Sequence, residues 1–224
     1  EQEKLEQTYR KMKNEELLKK GITLIDKNRI DVRGELQAGV DCTIDINVIF
    51  EGKVELGNNV KIGANTIITN TKIGDNSEIL PFSHIDSSHI GKDCFIGPYA
   101  RLREGSEIAD GARIGNFVET KKAKIGQSTK ANHFTYLGDA KIGNDVNIGA
   151  GTITCNYDGK NKNKTEIGDG SFIGTNSSLV APVSIGKNAY VGAGSTITKD
   201  VPDSSLGISR SKQKNVKDWS KNKK

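Results

Sequence analysis

The sequence predicts an all-β fold, a parallel β-helix in which three short strands close each coil. Three observations lead there. Aliphatic residues recur at steps of six, with an occasional five, from Leu56 through Ile62, Ile68 and Ile73 to Ile114. The series weakens at Thr120 and Ala131, recovers at Leu137, Ile142 and Ile148, and resumes from Ile167 to Ile197, often with Gly next in line. The 224 residues include 25 Ile but only 6 Phe, 5 Tyr and 1 Trp, as a narrow column too tight for rings requires. Finally, a six-residue period fits neither the 3.6 of a helix nor the 2 of a simple strand. It fits a chain that makes a short strand, turns a corner and repeats. Three units make a coil of about 18 residues, and coils stack ~4.8 Å apart through parallel ladders. Gly after the aliphatic residue is expected to relax a corner of awkward φ.

Each element follows in order. In residues 1–21, Leu5, Tyr9, Met12 and Leu17 stand at roughly helical spacing among charges, and Gly21 follows as a C-cap. This segment reads as a linker helix that packs on the coils or joins something upstream; the start at Glu1 rather than Met suggests a fragment of a longer protein. Residues 22–210 form the β-helix domain. Within them 155–166 (CNYDGKNKNKTE) lack any aliphatic register and read as a loop extruded from the stack, which in so regular a fold points to function. Residues 211–224 are a basic C-terminal tail.

Composition excludes several classes. No stretch approaches 18 apolar residues, so no membrane span is expected. The charged first 20 residues do not resemble a signal peptide. Three widely spaced Cys, 42, 94 and 155, argue against a disulfide framework, and a cytoplasmic setting is expected. The net charge is +5, and the six Lys and one Asp of the tail account for all of it. A neutral body offers no electropositive groove for nucleic acid.

In such a stack, residues 17 or 18 apart lie one above another. Arg103 and Lys121 are 18 apart and each follows an inward position. They are expected to stack on one face, where an anion such as a phosphate relieves their repulsion. A second column reads His133, Ala150, Thr175, Ala193 and Arg210, once the extruded loop is discounted. It spans four rungs, or ~19 Å. Small side chains leave its backbone open to an extended ligand, with an acid–base group at one end and a cation at the other. That is the profile of a groove for an acyl thioester of coenzyme A. His133 suits the removal of a proton from an amine, and corner amides suit the stabilisation of an oxyanion. Cys155 has no His near it in sequence and reads as a buried or bystander thiol.

The segments RLREGSEIADGARIGNFVETKKAKIG, HFTYLGDAKIGNDVNIGAGTITCNYDGKNKNKT, LVAPVSIGKNAYVGAGSTIT and ISR carry a specific resemblance. Over essentially the whole chain the sequence resembles the acetyltransferase half of the bacterial bifunctional enzymes that make UDP-N-acetylglucosamine, within the hexapeptide-repeat acyltransferases. The resemblance implies a left-handed coil and transfer of acetyl from acetyl-CoA to glucosamine-1-phosphate, a step toward peptidoglycan and lipopolysaccharide precursors. It implies His133 as general base. For the sugar phosphate it implies Arg103, Lys121, Tyr136, Asn147, Asn156 and Lys162. Along acetyl-CoA it implies Ala150, Asn156, Tyr157, Thr175, Ala193 and Arg210, with Thr175 in a slot often held by Ser. Glu119 is implied to help orient the base. The family is trimeric with sites between subunits, transfers directly without an acyl-enzyme, and needs no metal for this step. Mg2+ belongs to the uridyltransferase half, whose Gly-rich nucleotide loop this sequence lacks.

Three other readings remain. Another hexapeptide acyltransferase shares the groove but not the Arg103/Lys121 pair beside HFTYLGD. A hexapeptide carbonic anhydrase places three His on zinc, but here His133 follows His84 and His89 where that family's single His precedes its pair. A non-catalytic assembly module makes no use of His133.

Overall fold

The computed structural model describes residues 1–221. It is a parallel β-solenoid of about ten turns led by one helix. The inward residues form three continuous columns, one per face. The first runs Ile44, Ile62, Ile79, Ile96, Ile114, Ala131, Ile148, Ile173 and Val191 in unbroken register. The second runs Val32, Phe50, Ile68, Ile85, Leu102, Thr120 and Leu137. The third runs Leu56, Ile73, Ile90, Ile108, Ile125, Ile142, Ile167 and Ile185. All are buried, so apart from Phe50 and Thr120 the core is a column of aliphatic side chains sealed by the ladders around it. The solenoid begins earlier than the aliphatic series suggests, since Thr23–Leu24 already pairs with Thr43–Ile44.

The glycines do a different job from the one expected. Gly74 and Gly149, which follow inward Ile residues, are not in the left-handed region. They are needed for close approach. A Cβ on Gly74 would lie 2.6 Å from the carbonyl carbon of Gly91, and one on Gly149 2.6 Å from the oxygen of Ile173. Positive φ sits mostly elsewhere, in three corner rows, although Gly97, which follows inward Ile96, has φ +100; the row Asn70, Ser87, Gly105, Lys122 and Asp139 is one of them. A second is Asn59, Asn76, Asp93, Gly111, Ser128 and Asp145; the third is Asn47, Asn65, Phe82, Tyr99, Phe117, Phe134 and Gly151. Asn, Asp and Gly suit that conformation, whereas bulky aromatic residues do not. The four aromatic rings stack in succession, with centroids 5.0, 5.3 and 5.1 Å apart, and remain exposed.

Buried hydroxyls and thiols beside the columns bond the carbonyls of the next turn. Ser77 donates to the Gly91 oxygen at 2.8 Å, and the Cys94 thiol to the Ala109 oxygen at 3.2 Å. Cys94 thus occupies a slot that Ser fills elsewhere, and burial pushes its thiol up to about 11.

Helix α1 spans Gln2–Lys19 and ends where Gly21, at φ +83, lets the Gly21 and Ile22 amides donate to Leu18 and Leu17 oxygens. Its expected apolar stripe does not dock as a whole. Leu17 is buried, but Leu5, Tyr9 and Met12 are exposed. The helix is held at its C-terminal end, where Asn14 Nδ2 donates to the oxygens of Lys27 at 2.6 Å and Ile30 at 3.0 Å. The extruded loop is narrower than 155–166, because Cys155 closes the strand Ile153–Cys155 and Thr165 opens Thr165–Ile167. No described helix is long and apolar enough to cross a membrane. The basic tail is exposed as far as residue 221; its last three residues lie outside the described ones.

Candidate functional site

Two nine-residue strands, Arg113–Lys121 and Lys130–Gly138, bend around one corner and pair along their length. Wrapping the corner without a break places outward side chains of two faces on one rigid ladder. Asn116 pairs with His133, Glu119 with Tyr136, and Lys121 with Gly138.

Arg103 and Lys121 stack as expected, one rung apart, since Leu102 pairs with Thr120. Their repulsion is already relieved by two carboxylates. Glu119 Oε1 lies 2.8 Å from Arg103 Nη1, and Glu104 Oε1 lies 3.2 Å from Lys121 Nζ, with its other oxygen 4.0 Å from Arg103 Nε. The hydrogen bond from Lys121 holds the Glu104 carboxyl below its ordinary range, and the bond to Glu119 raises the Arg103 guanidinium. A shallow cleft of about 220 Å³ opens beside the pair, lined by His84, Asp86, Arg101, Arg103 and Glu104. Spacing alone gave no sign of Glu104, a surface Glu of ordinary appearance. Glu119 is committed to Arg103, so the residue that touches the His133 ring is Asn116 instead, its Oδ1 2.7 Å from Nδ1.

The long column also forms. The amides of Gly151, Asn176 and Gly194 donate to the oxygens of Phe134, Ala150 and Thr175, which sets His133, Ala150, Thr175 and Ala193 one above another. Arg210 closes the column by donating from Nη1 to the Ala193 oxygen at 2.7 Å. His133, Thr175, Ala193 and Arg210 are exposed and Ala150 is half-buried. These three corner amides are engaged with the turn above, so they are not free donors for an oxyanion.

The loop supplies a third group. Asn156 is buried, and its Nδ2 donates to Asp139 Oδ2 at 2.6 Å, which ties the loop to the end of the Lys130–Gly138 ladder. Asp158 accepts the Lys160 and Asn161 amides at 2.8 and 2.6 Å, so those bonds hold its carboxyl low and fold the loop on itself. Tyr157 and Lys162 form an antiparallel bridge and both face solvent.

One chain does not bring all these groups together. Asn147 lies outward in the row Lys130, Asn147, Phe172, on the other side of the His133 corner from Arg103 and Lys121. His84 and His89 lie on different faces, in register with Arg101 and Glu107. Among the described residues the Cys155 thiol makes one hydrogen bond, a long one of 4.0 Å to the Ile153 oxygen.

Comparison with known proteins matches these repeats. The pattern described as Bacterial transferase hexapeptide (six repeats) matches residues 87–122 and 164–199. The Hexapeptide repeat of succinyl-transferase matches 39–70 and 53–79. The chain is thus built of the hexapeptide repeats found in bacterial transferases. Its sequence is similar to several curated relatives called Bifunctional protein GlmU. That of Idiomarina loihiensis is 57% identical over 96% of this chain and 47% of its own length. That of Cellvibrio japonicus is 56% identical over 98% and 48%, and that of Alkalilimnicola ehrlichii 50% identical over 96% and 46%. The chain thus spans about half the length of the curated relatives it matches, and corresponds to their C-terminal part. Among solved structures, the UDP-N-acetylglucosamine acyltransferase from Campylobacter jejuni aligns at 16% identity and a TM-score of 0.46, over 81% of this chain and 70% of that one.

Proposed function

We propose that this chain transfers an acetyl group from acetyl-CoA to the amine of glucosamine-1-phosphate. The observation that carries the reading is the outward column His133, Ala150, Thr175, Ala193, Arg210, beside the corner that leads to the stacked Arg103 and Lys121. Its small residues admit the pantetheine arm, and the Arg210 end suits CoA phosphates. Arg103 and Lys121 take the sugar phosphate. Tyr136 flanks the sugar, Asn147 of another copy reaches it from the far side of the corner, and Asn156, Tyr157 and Lys162 bring the loop over it. His133 takes the proton of the amine as nitrogen attacks the thioester carbonyl; the tetrahedral intermediate collapses and the CoA thiolate leaves and is protonated. The reaction needs no acyl-enzyme and none of the residues named requires a metal. A cytoplasmic setting suits both substrates.

The second part of the proposal is a homotrimer that completes the site. Four consecutive coils place Phe82, Tyr99, Phe117 and Phe134 in a left-handed corner where neighbouring coils use Asn or Gly. That conformation costs a bulky residue of order 1–3 kcal/mol, and the resulting ladder is left facing water. It ends beside His133. Packing of another copy against the ladder covers the rings and brings that copy's outward residues over the base.

The test is release of free thiol from acetyl-CoA with and without glucosamine-1-phosphate. Serine, maltose and a UDP-sugar serve as rival acceptors. Acceptor-dependent release with glucosamine-1-phosphate alone is expected; faster release with another acceptor assigns the chain to a different branch of the family.

A further inference from the structure

We infer that Asn116 is a positioning residue for the acetyl transfer: it fixes the His133 ring in the tautomer whose Nε2 is free to accept a proton. This rests on the reading of His133 as the base. Asn116 Oδ1 stands 2.7 Å from His133 Nδ1, and the two residues are partners in the ladder. Each immediately precedes a left-handed corner residue, Phe117 at φ 55 and Phe134 at φ 47. Both side chains therefore leave the backbone at equivalent points of consecutive turns, and the contact is set by the solenoid.

The chemistry follows from what an amide oxygen can do. It accepts and cannot donate, so its partner Nδ1 must carry the hydrogen. The lone pair then lies on Nε2, which no described side chain engages. An imidazole without such a partner carries its proton mainly on Nε2, and would offer a donor where the incoming ammonium needs an acceptor. A neutral amide also differs from a carboxylate at the same place. Carboxylate would stabilise the imidazolium and hold the proton after transfer, whereas Asn fixes the tautomer with little gain for the charged ring. The nearest carboxylate on the same strand, Glu119, is bound to Arg103, and Lys121 is bound to Glu104. Asn is thus the group that faces the ring from the turn before it, while Ala150 follows on the turn after.

The experiment uses the full chain labelled with 15N at its three His. Long-range proton–nitrogen spectra identify which ring nitrogen is protonated, and His84→Gln and His89→Gln variants assign the signals. Wild type is expected to show His133 protonated at Nδ1. N116A is expected to shift the ring toward the Nε2-protonated form and lower kcat about 5- to 30-fold, the size of one lost hydrogen bond, with KM for acetyl-CoA unchanged. N116D preserves the shape of the side chain and so the fold. It is expected to keep the Nδ1 proton and move the acidic limb of kcat/KM to higher pH. An Nε2-protonated ring in wild type, meaning the amide is turned the other way, overturns the proposal. So does an N116A chain with wild-type kcat and pH profile while H133A is inactive. An H133A chain with wild-type turnover instead removes the base itself, and the role of Asn116 with it.

Discussion

His133, with its side chain at an outer corner and one hydrogen bond, has the exposure a proton acceptor needs and little else to do. H133A is expected to lower kcat by about 10²–10⁴, the usual contribution of a general base, with acetyl-CoA affinity nearly intact. Steady-state kinetics together with equilibrium binding of acetyl-CoA separate the two effects. At the phosphate pair, R103A is expected to raise KM for glucosamine-1-phosphate about 10- to 100-fold and to leave unphosphorylated glucosamine little changed. Equal losses for both acceptors would show that Arg103 does not read the phosphate. The bond from Lys121 to Glu104 adds a reverse effect, because the incoming anion must compete with a resident carboxylate. E104Q is therefore expected to lower KM for the phosphorylated amine by about 2- to 5-fold, the size of an exposed ion pair, and the gain shrinks in high salt.

At the scale of the coil, two glycine positions obey different constraints. Gly74 faces the Gly91 backbone, so G74A forces an overpacked rung and is expected to cost about 1–3 kcal/mol. Gly111, at φ +70, sits in a corner row where Asn59, Asn76, Asp93, Ser128 and Asp145 hold the same conformation, and a Cβ there would stand 3.4 Å from the Ser128 hydroxyl. G111N is expected to stay within about 0.5 kcal/mol of the parent. Thermal or chemical denaturation of both distinguishes close approach from conformational freedom. The same contrast explains what the sequence disclosed. Inward Ile columns are a strict period and were legible from Leu56 to Ile197. The pairing of Arg103 with Lys121 and the His133 column followed from coil length alone. What was hidden depends on side-chain reach rather than spacing. Asn116 lies 17 residues before His133, but so do unremarkable Asn residues before others in the stack; Asp139 and Glu104 show their partners only once the corner and the loop are folded. The helix misled because its spaced Leu5, Tyr9 and Met12 describe a face that stays exposed, while polar Asn14 does the anchoring.

Across the whole molecule, several carboxylates act as staples between turns. Asp75 accepts the Asn58 amide at 2.9 Å and Asp169 the Asn144 amide at 2.8 Å, and those bonds lower both carboxyls. A carboxyl lowered in the folded state stabilises it above the unfolded carboxylate range. That stabilisation is lost as pH falls through the folded values, so the melting temperature is expected to be level near neutrality and to drop below about pH 4. Melts followed by circular dichroism across pH 2–7, a span of roughly the carboxylate range, check this. Thiol titration reports burial over the same fold. Cys42 and Cys94 are buried with raised thiols and are expected to resist a thiol reagent at neutral pH, while Cys155 reacts first. For assembly, F117K sets a charge into the aromatic ladder and is expected to reduce the mass seen by light scattering and to slow acetyl transfer with it.

The loop between Cys155 and Thr165 leaves the stack at a corner and returns to it, so the Ile148 and Ile173 rung still closes although 25 residues separate its members. A solenoid of this kind counts turns by its columns and ignores what is spliced in at a vertex. The chemistry above the His133 corner is thereby uncoupled from the integrity of the shaft. Segments of other lengths and compositions can be exchanged at that vertex to admit a different acceptor, provided the buried bond from Asn156 to Asp139 that ties the loop to the stack is kept.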